Sequence, residues 1–83
     1  MKTKELIRQE AKMFVDYHKK VYPTISKSNW KEIEETLVKN ISDSFSLMSS
    51  FHEGDPIIEA IIDSMIESPQ TTELIKGYLG KEE

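Results

Sequence analysis

The two histidines, His18 and His52, are the residues whose chemistry would first suggest a metal or catalytic site. Helical metal sites commonly place a glutamate three residues before the histidine, as in Glu-x-x-His. The residues at that position are Val15 and Ser49, and the chain contains no His-Glu-x-x-His pattern. The sequence therefore predicts no metal-binding residue and no cofactor.

Motifs for nucleophilic catalysis are also missing. Serine is common between Ser42 and Ser50, but no serine stands in a Gly-x-Ser-x-Gly setting. The 3 glycines are isolated and form no phosphate-binding loop. We therefore predict no catalytic residue and do not expect an enzyme.

One carboxylate interrupts an apolar pattern. Glu10 falls in the middle of the apolar arc of the first predicted helix. If it were buried, it would need a polar partner or a raised pKa. The ordinary explanation is that this helix protrudes beyond the end of the bundle and leaves Glu10 at a rim, and this is the expectation we adopt.

The elements that must position these side chains are helices, because apolar residues recur at steps of three and four along the chain. We predict one domain, residues 1–83, with helices at about 3–22, 29–51, 55–67 and 69–79. Their connections are short, which favours antiparallel neighbours. The predicted fold class is all-α, a small three- to four-helix bundle.

Local signals set the helix ends. Asn29 is the expected N-cap of the second helix, and the paired residues Asp55-Pro56 and Ser68-Pro69 are expected to begin the third and fourth. Gly80 is the expected terminator. The side of the first helix predicted to face inward carries Leu6, Ile7, Met13, Phe14, Tyr17 and Val21.

Charge is divided unevenly along the chain. Residues 1–39 carry nine Lys or Arg against six Asp or Glu, whereas residues 40–83 carry two against nine. The formal net charge is −4, which argues against non-specific affinity for nucleic acid or anionic lipid. The excess of negative charge in residues 40–83 favours encounters with a basic partner surface.

The acids of the third helix form the predicted partner-binding site. Projected at about 100° per residue, Glu59, Asp63 and Glu67 form a row beside Ile62 and Ile66. Two interpretations are open. Either the isoleucines are core and the acids a solvated edge, or the isoleucines stay partly exposed as anchors rimmed by acids.

A secondary basic face is predicted on the first helix. It comprises Lys4, Arg8, Lys12 and Lys19. The basic and acidic rows could pair within one molecule, pair between molecules in a homo-oligomer, or remain two solvated faces.

The predicted function is a non-enzymatic protein–protein interaction module that occludes a basic site on a partner. In size, charge and predicted helices the chain resembles the small acidic helical proteins that neutralise a basic partner, such as immunity proteins, phage-encoded inhibitors and some antitoxins. The alternatives are a self-assembling structural subunit and, less favoured, a helical DNA-binding regulator, because phosphates would repel the acids of the third helix.

Composition also bears on location and stability. The chain has no cysteine and no uninterrupted apolar run longer than three residues, so no membrane span is predicted and a cytoplasmic location is expected. Without disulfides, a domain of 83 residues depends on hydrophobic packing or on self-association.

Overall fold

Helices make up nearly all of the computed structural model, which describes residues 2–48, 52 and 54–82, and the side chains of residues 2–48, 52 and 54–80. The helices are α1 (Thr3–Val21), α2 (Lys27–Leu47), α3 (Pro56–Ile66) and α4 (Pro69–Glu82). No strand occurs among the described residues. The predicted all-α bundle is confirmed.

The start of α2 differs from the prediction. Ser26, not Asn29, is the N-cap, and its hydroxyl oxygen accepts a hydrogen bond from the backbone N–H of Asn29 at 3.3 Å. Asn29 therefore lies in the first turn. Both residue types cap helices well, so spacing in the sequence could not choose between them.

The end of α2 comes earlier than predicted, at Leu47, and residues 49–51 lie outside the described part of the chain. Two serines in the last turns hydrogen-bond to the helix itself. The hydroxyl of Ser44 donates to the carbonyl oxygen of Asn40, and that of Ser46 to the carbonyl oxygen of Ser42, each at 3.0 Å. Such bonds allow serine to remain in a helix at a small cost in stability.

The starts of α3 and α4 agree with the prediction. The carboxylate of Asp55 accepts a hydrogen bond from the backbone N–H of Ile57 at 3.0 Å, and Pro56 is the first helical residue. Helix α4 begins at Pro69. The predicted stop at Gly80 is wrong, because α4 continues to Glu82 and the one glycine with positive φ is Gly54, at 86°.

The core is formed where all four helices meet. Its buried members are Ile7, Ala11, Val15, Ile25, Trp30, Ile33, Leu37, Val38, Ile41, Ile58, Ile62, Ile66 and Ile75. Isoleucine dominates this set. A core of one small cluster leaves stability sensitive to each buried side chain.

The helix directions follow from which ends lie together. Helix α2 runs antiparallel to α1, since Lys4 near the start of α1 and Phe45 near the end of α2 line one depression. Helix α1 runs parallel to α3, since Leu6 lies near Glu59, and Tyr17, further along α1, lies near Glu67. The acids of α3 are therefore brought alongside α1.

Helix α4 packs along the first half of α2. The hydroxyl of Tyr78 donates a hydrogen bond to Oε2 of Glu32 at 3.3 Å. Burial raises the pKa of Tyr78, and the charge and hydrogen bond of Glu32 raise it further. The contact ties the end of the chain to the bundle.

The described helices are 11 to 21 residues long. None of them combines the length and the apolar composition that crossing a membrane requires.

Candidate interaction surface

Three acids of α3 form a line that we call the acidic row: Glu59, Asp63 and Glu67. Glu59 and Glu67 are exposed and Asp63 is half-buried. Four-residue spacing places the three on one side of the helix, about 6 Å apart along its axis. Among the side chains that the structure describes, no cation forms an ion pair with any of them. The row therefore presents negative charge that the described part of the chain leaves uncompensated.

Glu10 adds a fourth carboxyl group to this surface. Its side chain is half-buried and lies beside the carboxyl group of Asp63 across the α1–α3 interface. Burial raises the pKa of Glu10 above its ordinary value of 4.5, and the hydrogen bond to Asp63 and the charges of Asp63 and Glu59 raise it further. Two carboxyl groups can share such a bond only while one holds a proton.

The expected position of Glu10 at a protruding helix end is wrong. Ile7, one turn earlier, and Ala11, the next residue, are both buried in the core. Helix α1 is therefore covered on both sides of Glu10, and the carboxyl group lies in the middle of a helix–helix contact.

The anchor residues predicted beside the acidic row are not exposed. Ile62 is 0% exposed and Ile66 is 4% exposed, so the interpretation of them as core residues is confirmed, and the alternative that they remain partly exposed as anchors is wrong. The reason is that α3 packs against both α1 and α2, and the line from Ile58 through Ile62 to Ile66 fills that contact. The partner-binding role of the acids stays a prediction, now without these two isoleucines.

Exposed apolar side chains occur instead on α1. Met13, Tyr17 and Val21 are 58%, 62% and 49% exposed, and we call these three residues the apolar strip. The prediction that they face inward is wrong. Their side of α1 extends past the area that α2 and α3 cover, whereas Leu6 and Phe14 remain packed against the core.

The acidic row and the apolar strip meet at one point. Tyr17 and Glu67 line the same depression, of about 450 Å³, between the second half of α1 and the junction of α3 with α4. Because Glu10 faces Asp63, the acidic row lies beside the first half of α1, while the strip occupies the second half. The two form one staggered surface along the α1–α3 interface.

Aromatic rings make up the α1 wall of this depression. The ring of His18 stacks on Phe14 with centroids 3.9 Å apart and meets the edge of Tyr17 at 5.1 Å. Nδ1 of His18 lies 2.9 Å from the carbonyl oxygen of Phe14, so this nitrogen is placed to donate to it. Tyr22 stacks more distantly, at 6.3 Å. The rings hold His18 in a structural role within the wall.

The predicted basic face of Lys4, Arg8, Lys12 and Lys19 is exposed and separate from the acidic row. Arg8 lies 3.8 Å from Glu35 of α2, and Asp16 lies 3.7 Å from both Lys12 and Lys19. Within the described residues, no ion pair joins the basic face to the acidic row. The basic face lies on the side of α1 that is next to α2, whereas the acidic row belongs to α3 and lies beside the opposite side of α1.

A larger groove, of about 870 Å³, lies between α2 and the α3–α4 junction. Leu37, Ile41, Met65 and Leu74 form its apolar part. Its acid, Glu73, lies 3.8 Å from Lys76, so this groove carries little unbalanced charge. Unlike the acidic row, the groove therefore offers little net negative charge to attract a cationic partner.

Carboxyl groups are common ligands of divalent cations in proteins. Among the described residues, no three His, Asp or Glu side chains are arranged to hold a metal ion. The chemistry that this surface supports is attraction of organic cations such as the side chains of lysine and arginine.

Sequence reasoning found the acidic row but missed the strip. The available signal was the width of the apolar arc on α1, which runs from Met13 round to Val15 and covers more than half the helix circumference. An arc that wide exceeds what two neighbouring helices cover, so one of its edges must remain exposed.

Comparison with known proteins adds no relative. No protein-family model, no curated protein and no solved structure matches this chain.

Proposed function

We propose that this protein is a non-enzymatic interaction module that binds and occludes a basic site on another protein. The observation that carries the proposal is the acidic row with Glu10 beside it, which has no described counter-ion within the chain. A surface of this kind speeds encounter with a cationic partner. A cytoplasmic site of action is part of the proposal and is supported by the absence of cysteine.

The position of the acids supports the proposal further. They lie on a packed helix, so their spacing is held by the core rather than by a loop. A rigid row of charges loses little conformational freedom on binding, which favours affinity. Occlusion requires no chemical step, and among the described residues no three His, Asp or Glu side chains are arranged to hold a metal ion.

The test is charge reversal of the acidic row. In the variant Glu59→Lys/Asp63→Lys/Glu67→Lys, a partner captured by the wild type at moderate salt should be lost. The matched control reverses three exposed acids elsewhere, Glu5, Glu35 and Glu73, and should retain the partner. Circular dichroism establishes that both variants are folded. Equal capture by the row-reversed variant and the wild type would overturn the proposal.

Self-assembly is the second candidate, favoured by the exposed apolar strip and by the separate acidic and basic faces. In that case the basic face of one copy docks against the acidic row of another. Light scattering over a range of protein concentration should then show a homo-oligomer that dissociates as salt increases. A monomer at every concentration excludes this candidate.

A further inference from the structure

The apolar strip is an unpartnered helix face. Met13, Tyr17 and Val21 stand at four-residue steps and are 49% to 62% exposed, so together they form a ridge about 12 Å long. Scattered exposed apolar residues are ordinary, but a continuous line on one helix face beside a charged row is typical of a binding surface.

Charge decides what fits against this ridge. At its Tyr17 end the strip adjoins Glu67, and from there the acidic row continues beside the first half of α1. The cations of the basic face on a second copy are already paired in part with Asp16 and Glu35, and a second copy that docks by the same face brings another acidic row toward this one. Like charges oppose that arrangement, whereas a cationic partner gains at the row and at the strip together.

The dimensions of the surface favour a helix. Both rows repeat every four residues, and the side chains of a partner helix repeat at the same distance, so ridges of one can pack between ridges of the other. From the level of Glu59, which lies beside Leu6, to Val21 the surface spans about 22 Å, the length of about 15 helical residues.

We propose that the α1–α3 interface is the docking site for a cationic amphipathic helix of a partner protein. One half of that helix carries apolar side chains that cover Met13, Tyr17 and Val21, and the other half carries lysine or arginine beside Glu59, Asp63 and Glu67. The proposal rests on the proposed function and adds the kind of partner and the residues that hold it.

The division of roles follows from the chemistry of each row. Exposed ion pairs contribute only about 0 to 1 kcal/mol each, so the acidic row acts mainly on the rate of encounter. Burial of Met13 and Tyr17 removes apolar area from water and slows dissociation. Tyr17 is the expected centre of the contact, because it lies where strip and row meet.

The experiment uses a synthetic, fluorescein-labelled peptide of about 15 residues. Along one face of its helix it carries leucines over one half of its length and lysines over the other half, with alanine elsewhere. A second peptide has the same composition with the lysines and leucines distributed around the helix. Fluorescence anisotropy measures their binding to the whole protein at moderate salt. We expect the amphipathic peptide to bind at least about tenfold more tightly than its permuted form.

Two variants test the strip. Met13→Ser/Tyr17→Ser should weaken binding of the amphipathic peptide by about tenfold or more, since both side chains are central to the contact. The matched control is Leu47→Ser, because Leu47 is 88% exposed but lies on α2, away from the strip. It should change the affinity by less than about twofold. All three side chains are exposed, so the fold is expected to tolerate these changes.

Each contrary result has a definite meaning. Unchanged binding by Met13→Ser/Tyr17→Ser, or equal binding of the two peptides, overturns the docking proposal. If the acidic-row reversal still abolishes partner capture in that case, the proposed function stands while the docking proposal fails. A homodimer in sedimentation that Tyr17→Ser dissociates would assign the strip to a second copy and likewise overturn the proposal.

Discussion

Glu10 shows at the scale of one residue how a helix interface can hold a carboxyl group. It stands between Ile7, Ala11 and Phe14 on the packed side of α1, where an apolar side chain is usual. The carboxyl group of Asp63 beside it supplies the polar partner that burial demands. The pairing of two carboxyl groups depends on a proton, so its contribution to stability depends on pH.

We predict that Glu10→Gln stabilises the fold at neutral pH by about 0.5 kcal/mol, because the amide can donate to Asp63 without a negative charge of its own. In the wild type, the folded-state pKa of Glu10 lies above 4.5, so the folded chain keeps a proton that the unfolded chain loses just above that pH. The free energy of unfolding should therefore fall as pH rises through that window. Urea unfolding at several pH values measures both effects.

Glu34→Gln is the control for this prediction. Glu34 is a half-buried acid on α2, and the substitution changes the net charge equally. If both variants show the same stability and the same pH dependence, the carboxyl pair across α1 and α3 contributes nothing specific.

Ser42 provides a second prediction for a single residue. Its hydroxyl oxygen is buried and finds no hydrogen-bond partner among the described residues. Ser42→Ala should therefore stabilise the protein by about 0.5 to 1 kcal/mol, through removal of an unsatisfied group and a better helix propensity. Ser64→Ala, at an exposed position of α3, isolates the propensity part and should give a smaller gain in thermal unfolding. Equal gains would mean that the Ser42 hydroxyl is satisfied in solution.

At the scale of the element, α3 depends on its first turn. It is 11 residues long, short enough that it gains little stability from its own backbone hydrogen bonds and relies on packing and capping. The Asp55 side chain supplies the cap, and Pro56 fixes the backbone at the first helical position. This cap positions the whole acidic row, because Glu59 lies one turn further along.

We predict that Asp55→Ala lowers the free energy of unfolding by about 1 kcal/mol, because the backbone N–H of Ile57 loses its acceptor. Asp55→Asn retains a side-chain oxygen and should lower the free energy of unfolding by only a few tenths of about 1 kcal/mol. Chemical denaturation compares the two. An equal loss in both variants would show that the negative charge at the helix start matters rather than the capping bond.

Some helix ends could be predicted from the sequence and others could not. The two Pro-containing starts were predictable, since proline after a capping residue is a strong local signal. The start of α2 was not, because Ser26 and Asn29 are both residue types that cap helices well. The predicted stop at Gly80 was wrong because Gly80 does not adopt the positive φ with which a glycine commonly ends a helix.

At the scale of the whole molecule, stability rests on one small core. The free energy of unfolding of an 83-residue domain is expected to be about 4 to 12 kcal/mol. The loss of one central side chain therefore removes a large part of the stability. Ile62 is fully buried at the meeting of α3 with its neighbours. The same position that was expected to anchor a partner therefore holds the bundle together.

We predict that Ile62→Ala lowers the free energy of unfolding by about 2 to 4 kcal/mol, through lost burial and the cavity left behind. Ile57→Ala is the control, because Ile57 is half exposed, and it should cost less than about 1 kcal/mol. Thermal unfolding distinguishes them. Similar small losses in both would mean that Ile62 is accessible to solvent after all.

The sequence by itself determined the helices, most of their starts and the position of the acidic row, because periodicity, capping and charge order are local properties of the chain. Only the tertiary structure decided which part of each apolar arc is covered. Ile62 is buried and Tyr17 exposed because α1 and α3 run parallel and share one contact, into which Glu10 also falls. That arrangement depends on residues more than 40 positions apart, and no local pattern encodes it.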